Sequence, residues 1–305
     1  MAVIPHFVLN DSAKTRIPSV GLGCWMGQPG GDGAVYRMCM EALKCGYRHL
    51  DTVGANEEYV GRAMRDSGVP REDIFLTTKL GSPRYLSLSK LFPDNSDAYV
   101  DLYLMHWPLA VIDGKTLQPE ESPTFVDTWK AMEKLVKAGK VKNIGVSNFS
   151  VTLLRDLLNH CEIVPAVNQV EMHPCLPQKD LKDFCDLHKI HLTAYSPLGR
   201  GLTFMENDTV KNLADKLGTT PAQVVLSWGV LRGTSVIPKS ERPERILANI
   251  TLIALSTEDM AVLDGLHEAP GMHRSLLVYH GSTGVVLGWT YEQFGWSMKP
   301  GGIVN

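Results

Sequence analysis

The chain has 305 residues, 44% of them hydrophobic and 21% charged, with a net charge of −3. That length is ordinary for one α/β barrel spanning 1–305, and the balanced charge without any basic run excludes a general polyanion-binding surface and a nucleic-acid partner. No stretch reaches the roughly 18 to 20 apolar residues of a membrane span, the N-terminus carries no leader pattern, and the six cysteines show neither a CxxC pair nor metal-ligand spacing, so a cytoplasmic protein with reduced thiols is expected.

The chain opens with two short runs, 6–9 and 16–19, joined by Asn10-Asp11-Ser12, which predict a small β-hairpin. Eight short apolar runs follow: 19–23, 49–51, 74–80, 100–106, 141–147, 166–171, 191–195 and 235–238. Helical spacing lies between most of them, as in Val35, Met38, Cys39 and Ala42, then Trp129, Met132, Leu135 and Val136, then Leu181, Phe184, Cys185 and His188. Strands flanked by helices read as a parallel sheet buried on both faces, and eight such units favour a closed (β/α)8 TIM barrel over an open sheet. The tail from about 273 has no clear periodicity and reads as an ordered C-terminal loop.

Active sites of such barrels lie at the C-terminal strand ends. Those positions hold Asp51, Lys79, His106, Ser147-Asn148, Gln169, Glu171, Tyr195-Ser196 and Lys239-Ser240, polar groups that converge on one mouth. Gly21, Gly23 and Gly27 do not make the GxGxxG spacing of a dinucleotide-binding turn.

The segments Gly46-Tyr47-Arg48-His49-Leu50-Asp51-Thr52, Thr77-Thr78-Lys79-Leu80, Asp101-Leu102-Tyr103-Leu104-Met105-His106-Trp107-Pro108, Ile144-Gly145-Val146-Ser147-Asn148-Phe149, Asn168-Gln169-Val170-Glu171-Met172-His173-Pro174, Tyr195-Ser196-Pro197-Leu198-Gly199 and Ile237-Pro238-Lys239-Ser240 follow one another along nearly the whole chain. In this order and spacing the sequence resembles the aldo-keto reductase family. The resemblance implies an NADP(H)-dependent oxidoreductase that interconverts carbonyls and alcohols of small molecules, and a monomer. It implies Asp51, Lys79 and His106 as catalytic residues. It also implies Tyr195 on the nicotinamide face, Ser147, Asn148 and Gln169 on its carboxamide, Ser196 and Leu198 along the pyrophosphate, and Lys239, Ser240, Arg245 and Asn249 at the adenosine end, where cations suit a 2′-phosphate. Trp25 and Trp107, with Trp289 or Trp296, are expected to wall an aromatic substrate pocket, and the loops 109–122 and 200–207 and the tail after Met272 to set substrate choice.

Two departures stand out. The family's Asp-Thr-Ala-x-x-Tyr-x-Asn-Glu runs here as Asp51-Thr52-Val53-Gly54-Ala55-Asn56-Glu57, so no tyrosine stands between Tyr47 and Tyr59. The family's proton donor is that tyrosine. Tyr59, in the first turn of the next helix after an Asn56 N-cap, is the local substitute, with Tyr85 and a protonated His106 as others. The alternative is an NADP(H)-binding protein with impaired turnover, or the product of a truncated gene. The second departure follows Lys79, where a shortened segment with Pro93 predicts a truncated third helix. Ala248 replaces the acidic or amide residue common near the adenine.

Overall fold

The computed structural model describes residues 4–26, 33–81, 88–93 and 98–304. Strands β1 (His6–Val8) and β2 (Arg16–Pro18) pair as an antiparallel hairpin. Next come β3 (Leu22–Gly23), α1 (Ala34–Cys45), β4 (His49–Asp51), α2 (Glu57–Asp66), β5 (Phe75–Leu80), the one-turn α3 (Leu88–Leu91) and β6 (Val100–Met105). A second small hairpin, β7 (Val111–Ile112) with β8 (Lys115–Thr116), interrupts the repeat. It resumes with α4 (Phe125–Lys137), β9 (Val141–Ser147), α5 (Val151–Leu158), β10 (Val167–Glu171), α6 (Lys179–Leu187), β11 (His191–Tyr195), α7 (Leu202–Met205), α8 (Asp208–Lys216), α9 (Pro221–Leu231), β12 (Ser235–Val236), α10 (Pro243–Ile250) and α11 (Thr257–Asp264). The tail holds two hairpins, β13 (Val285–Val286) with β14 (Trp289–Thr290) and β15 (Met298–Lys299) with β16 (Ile303–Val304), around the one-turn α12 (Tyr291–Phe294).

Strands β3, β4, β5, β6, β9, β10, β11 and β12 lie side by side in chain order, each pair parallel. The ring closes where Val20 bridges Val236: the Gly21 amide donates to Val236 O at 2.9 Å, and the Val236 amide to Ser19 O at 2.9 Å. The sheet is therefore the (β/α)8 barrel that the alternation predicts, and its first strand is completed by this seam.

Local chemistry starts and stops the helices. Thr124 and Asp127 form a reciprocal capping box at α4, as do Ser256 and Asp259 at α11, while Ser150, Asn207 and Thr220 each cap the helix they precede. Gly46, at φ 104°, ends α1 in a left-handed conformation that suits glycine. The stripe Val35, Met38, Cys39 and Ala42 is the buried face of α1. On α6, Leu181 and Cys185 are buried, with Phe184 packed beside them.

Inside the barrel, Phe75, Leu102, Leu104, Ala166 and Val167 pack with Leu9 and Ile17 from the N-terminal hairpin, which thereby seals the floor. The 200–207 segment, expected as a loop, is instead a tight turn running into α7; positive φ at Gly199, Arg200 and Gly201 bends the backbone enough to start a helix at once. The described part of the third helix is a single turn. Beside it lies a groove of about 590 Å³ lined by Leu80, Leu88, Tyr103, Ala131, Met132 and Leu135, among others, and the buried Tyr103 hydroxyl has no hydrogen-bond partner among the described residues.

The tail is ordered by burial rather than by periodicity. Val286, Trp289, Tyr291 and Phe294 form a core of their own with Trp107 and Leu109, and the Trp289 indole donates to Leu117 O at 2.7 Å. This anchors the tail to the 109–122 segment.

Close packing between strands makes one glycine structurally necessary. A Cβ on Gly145 would lie 2.5 Å from Val167 O and 2.7 Å from Leu104 Cδ2. Gly145→Ala is expected to destabilise the fold by about 1–3 kcal/mol, through overpacking, read as a lower denaturant midpoint at unchanged slope.

Candidate active site

Side chains alternate along a strand, so Lys79 and its neighbour Thr78 face opposite ways. Thr78 turns to the helix layer, where its hydroxyl donates to the buried Glu57 carboxylate at 2.6 Å. Lys79 turns to the barrel axis. Its ammonium donates to Asp51 Oδ1 at 2.5 Å and to Thr52 O at 3.1 Å, with both side chains of the ion pair 7% exposed. Burying two charges is costly unless the geometry is good and the remaining lone pairs are satisfied. Gln169, on β10, meets that need by donating from Nε2 to Asp51 Oδ2 at 2.7 Å.

Asn148 follows β9 at φ 66°, a left-handed conformation that asparagine tolerates better than most residues. Its Nδ2 donates to His106 O at 3.0 Å, and its backbone amide to Gln169 O. The Ser147 hydroxyl donates to the same Gln169 carbonyl at 2.8 Å. The half-buried His106 follows β6, its ring 6.2 Å from that of Trp107. Burial, then the Lys79 charge, lower its pKa to about 4 against the opposing pull of Asp51.

Tyr195 ends β11 with its hydroxyl donating to Asn148 Oδ1 at 2.7 Å and lying 2.9 Å from the hydroxyl of Tyr279 in the tail. Ser196 follows at φ 45° and Gly199 at φ 53°, folding a tight turn that carries the half-buried Leu198. Further round the rim, Lys239 and Arg245 are exposed, whereas Ser240 and Asn249 are buried. Lys239 pairs with Glu241 at 2.5 Å, and Arg242 precedes α10 without a side-chain cap. This donor set suits a phosphate: two exposed cations beside an uncapped helix start.

The placements of Asn56 and Trp289 differ from expectation. Asn56 precedes α2 but does not cap it; its amide donates instead to Cys24 O at 2.7 Å, because the fully buried side chain meets that carbonyl rather than the helix amides. Gln169 is engaged with Asp51 across the barrel. Trp289 is a packing residue, 2% exposed, while Trp107 lies against Tyr279, Phe294 and Trp296 at 5.7 to 6.3 Å between ring centres. Trp25, 47% exposed, follows β3. Tyr59 is half-buried and packs against the helix–strand core, and its hydroxyl bonds to no described residue. Tyr85 and Gly27 lie outside the described residues. Tyr279 was not signalled by the sequence: nothing in an aperiodic tail distinguishes one tyrosine from another.

A model of the aldo/keto reductase family matches residues 19–268. The chain is 40% identical over 297 residues to glycerol 2-dehydrogenase (NADP(+)) of Saccharomyces cerevisiae, covering 88% of this chain and 93% of that protein. It is 43% identical over 289 residues to aldose reductase B of Dictyostelium discoideum, covering 86% and 92%. A solved aldo/keto reductase from Brucella melitensis superposes with a TM-score of 0.74 at 39% identity, covering 86% of this chain and 99% of that one.

Burial also lowers the pKa of His49 to about 4 and that of His191 to about 3, so with His106 three imidazoles stay neutral in the fold at pH values where an unfolded chain binds protons. Their contribution to stability is complete above about pH 6.5, the unfolded value, and is lost as pH falls through the folded values. The thermal midpoint is expected to fall steadily between about pH 6.5 and 4. In the same range, NMR should show the His106 ring titrating near 4 rather than near its unperturbed value.

Proposed function

The chain belongs to the aldo/keto reductase family, and from that premise we propose that it is an NADP(H)-dependent oxidoreductase interconverting aldehydes or ketones with the corresponding alcohols. The observation that carries this reading is the buried Lys79 ammonium, held by Asp51 Oδ1 and Thr52 O at the barrel mouth. A cation withheld from water interacts strongly with negative charge developing on a carbonyl oxygen. Two of its three protons are engaged, and the third serves that oxygen.

Bound NADPH supplies the hydride that the carbonyl carbon accepts. As charge grows on the oxygen, Lys79 hydrogen-bonds it and delivers the proton, which water then restores. Asp51 keeps the ammonium in place, and Gln169 holds the second Asp51 oxygen so that the carboxylate does not turn. His106, neutral near pH 7, donates its single N–H to the same oxygen and orients the substrate. Trp25 and Trp107 form apolar walls. Among the described residues no phenol bonds to Lys79 or to His106, which supports giving Lys79 the proton.

The polar set fits the cofactor's chemistry. Tyr195 makes no aromatic ring contact among the described residues and is held by its hydroxyl, so its ring face suits a flat nicotinamide. Ser147, Asn148 and Gln169 stand beside it for the carboxamide, and Ser196 and Leu198 follow for the pyrophosphate. Lys239, Ser240, Arg245 and Asn249 would hold the adenosine end. The NADP(+) in the yeast relative's name supports the same choice.

Lys79→Met is expected to lower aldehyde turnover by roughly 10² to 10⁴ while NADPH still quenches tryptophan fluorescence, and Tyr59→Phe to change turnover by less than about threefold. A collapse in the Tyr59 variant instead would transfer the proton to that residue. Arg245→Ala should weaken NADPH binding by about tenfold, the scale of one charge-assisted contact, with NADH affinity unchanged.

A further inference from the structure

The tail presents one polar group to the mouth that the reaction above does not use, the hydroxyl of Tyr279. Its position is secured four residues earlier. The buried Glu171 carboxylate, at the end of β10, accepts from Ser275 Oγ at 2.5 Å, from the Leu276 amide at 2.8 Å and from His173 Nε2 at 2.9 Å. The Tyr279 ring then rests edge-on against Trp107, 5.7 Å between centres.

The direction of the Tyr279–Tyr195 hydrogen bond follows from counting protons. The carbonyl of His106 only accepts, so the Asn148 nitrogen must face it and Oδ1 must face Tyr195. An amide oxygen has no proton, so Tyr195 gives its single one to Asn148. Tyr279 is then the donor to Tyr195. The chain runs one way, from Tyr279 in the tail to Tyr195 on β11 and on to Asn148 after β9, whose amide continues to the carbonyl of His106.

Tyr195 is thus gripped at its hydroxyl from two sides. Asn148 supplies one of these contacts from the end of β9, and the tail supplies the second. We propose that Tyr279 is a positioning residue for cofactor binding: its hydrogen bond, delivered by a tail stapled to Glu171, fixes the Tyr195 ring against which the nicotinamide lies. The inference rests on the cofactor reading above. It carries a reciprocal consequence, since a contact that aids binding is itself strengthened by binding: NADPH protects the tail from opening.

The test uses the full chain and NADPH alone, without substrate. Tyr279→Phe keeps the ring on Trp107 and removes only the donated proton. Tyr291→Phe is the control, because it also removes a tail hydrogen bond, to His280 Nδ1 at 2.8 Å, but one that does not reach Tyr195. Dissociation constants are read from tryptophan quenching, and tail opening from amide hydrogen exchange over residues 275–299 with and without NADPH. Tyr279→Phe is expected to weaken NADPH about fivefold, the size of one neutral hydrogen bond, and to abolish the protection that NADPH gives the tail, whereas Tyr291→Phe leaves the affinity unchanged. Equal affinity and equal protection in Tyr279→Phe and the parent overturn this inference and leave the cofactor reading standing. An equal loss in both variants assigns the effect to general loosening of the tail and also overturns it. No NADPH binding by the parent overturns both readings.

Discussion

The Asp51 carboxylate has two oxygens and gives them to two different strands. One accepts the ammonium of Lys79 on the neighbouring β5; the other accepts the amide of Gln169, 118 residues away on β10. Both partners are buried, so the arrangement holds only while all three groups stay in register. An unpaired charge at that depth would cost several kcal/mol, of the order of 3–5 for a broken buried pair. The seam at Val20 and Val236 that closes the barrel is therefore a condition of the site as well as of the fold: an open sheet would not bring β10 round to face β4.

From that fixed carboxylate the other contacts extend outward. The backbone of Gln169 accepts from Ser147 and Asn148, Asn148 reaches His106 and Tyr195, and Tyr195 meets the tail. The mouth is a connected set of hydrogen bonds among strand ends, and each member restricts the rotamer of the next. Such pre-positioning is what stabilisation of a developing oxyanion requires, since dipoles already aligned need not reorganise during reaction.

The strands were legible because a parallel sheet buried on both faces leaves short, nearly unbroken apolar runs, and a polar residue ending such a run can only sit at the rim. Asp51, Lys79, His106 and Asn148 were found in this way. Pro93 and the shortened segment after Lys79 predict a reduced third helix, of which the described residues hold the turn Leu88–Leu91. What periodicity cannot carry is a partner chosen across the barrel. Gln169 reads as a strand residue whichever acceptor it faces, and Asn56 reads as a cap until the Cys24 carbonyl is seen beside it. The hairpins inside the ordered tail escaped for a related reason. Its order comes from packing Trp289, Tyr291 and Phe294 onto a distant loop, so neither the helical nor the strand period marks it.

The hairpin that plugs the floor bears on access. With Leu9 and Ile17 packed against Phe75, Leu102 and Leu104, the axis of the barrel is blocked at one end. A vessel stoppered at the bottom has one doorway: the polar groups around Asp51 and Lys79 open toward the rim, and the hairpin, at the opposite end, keeps their apolar backing dry.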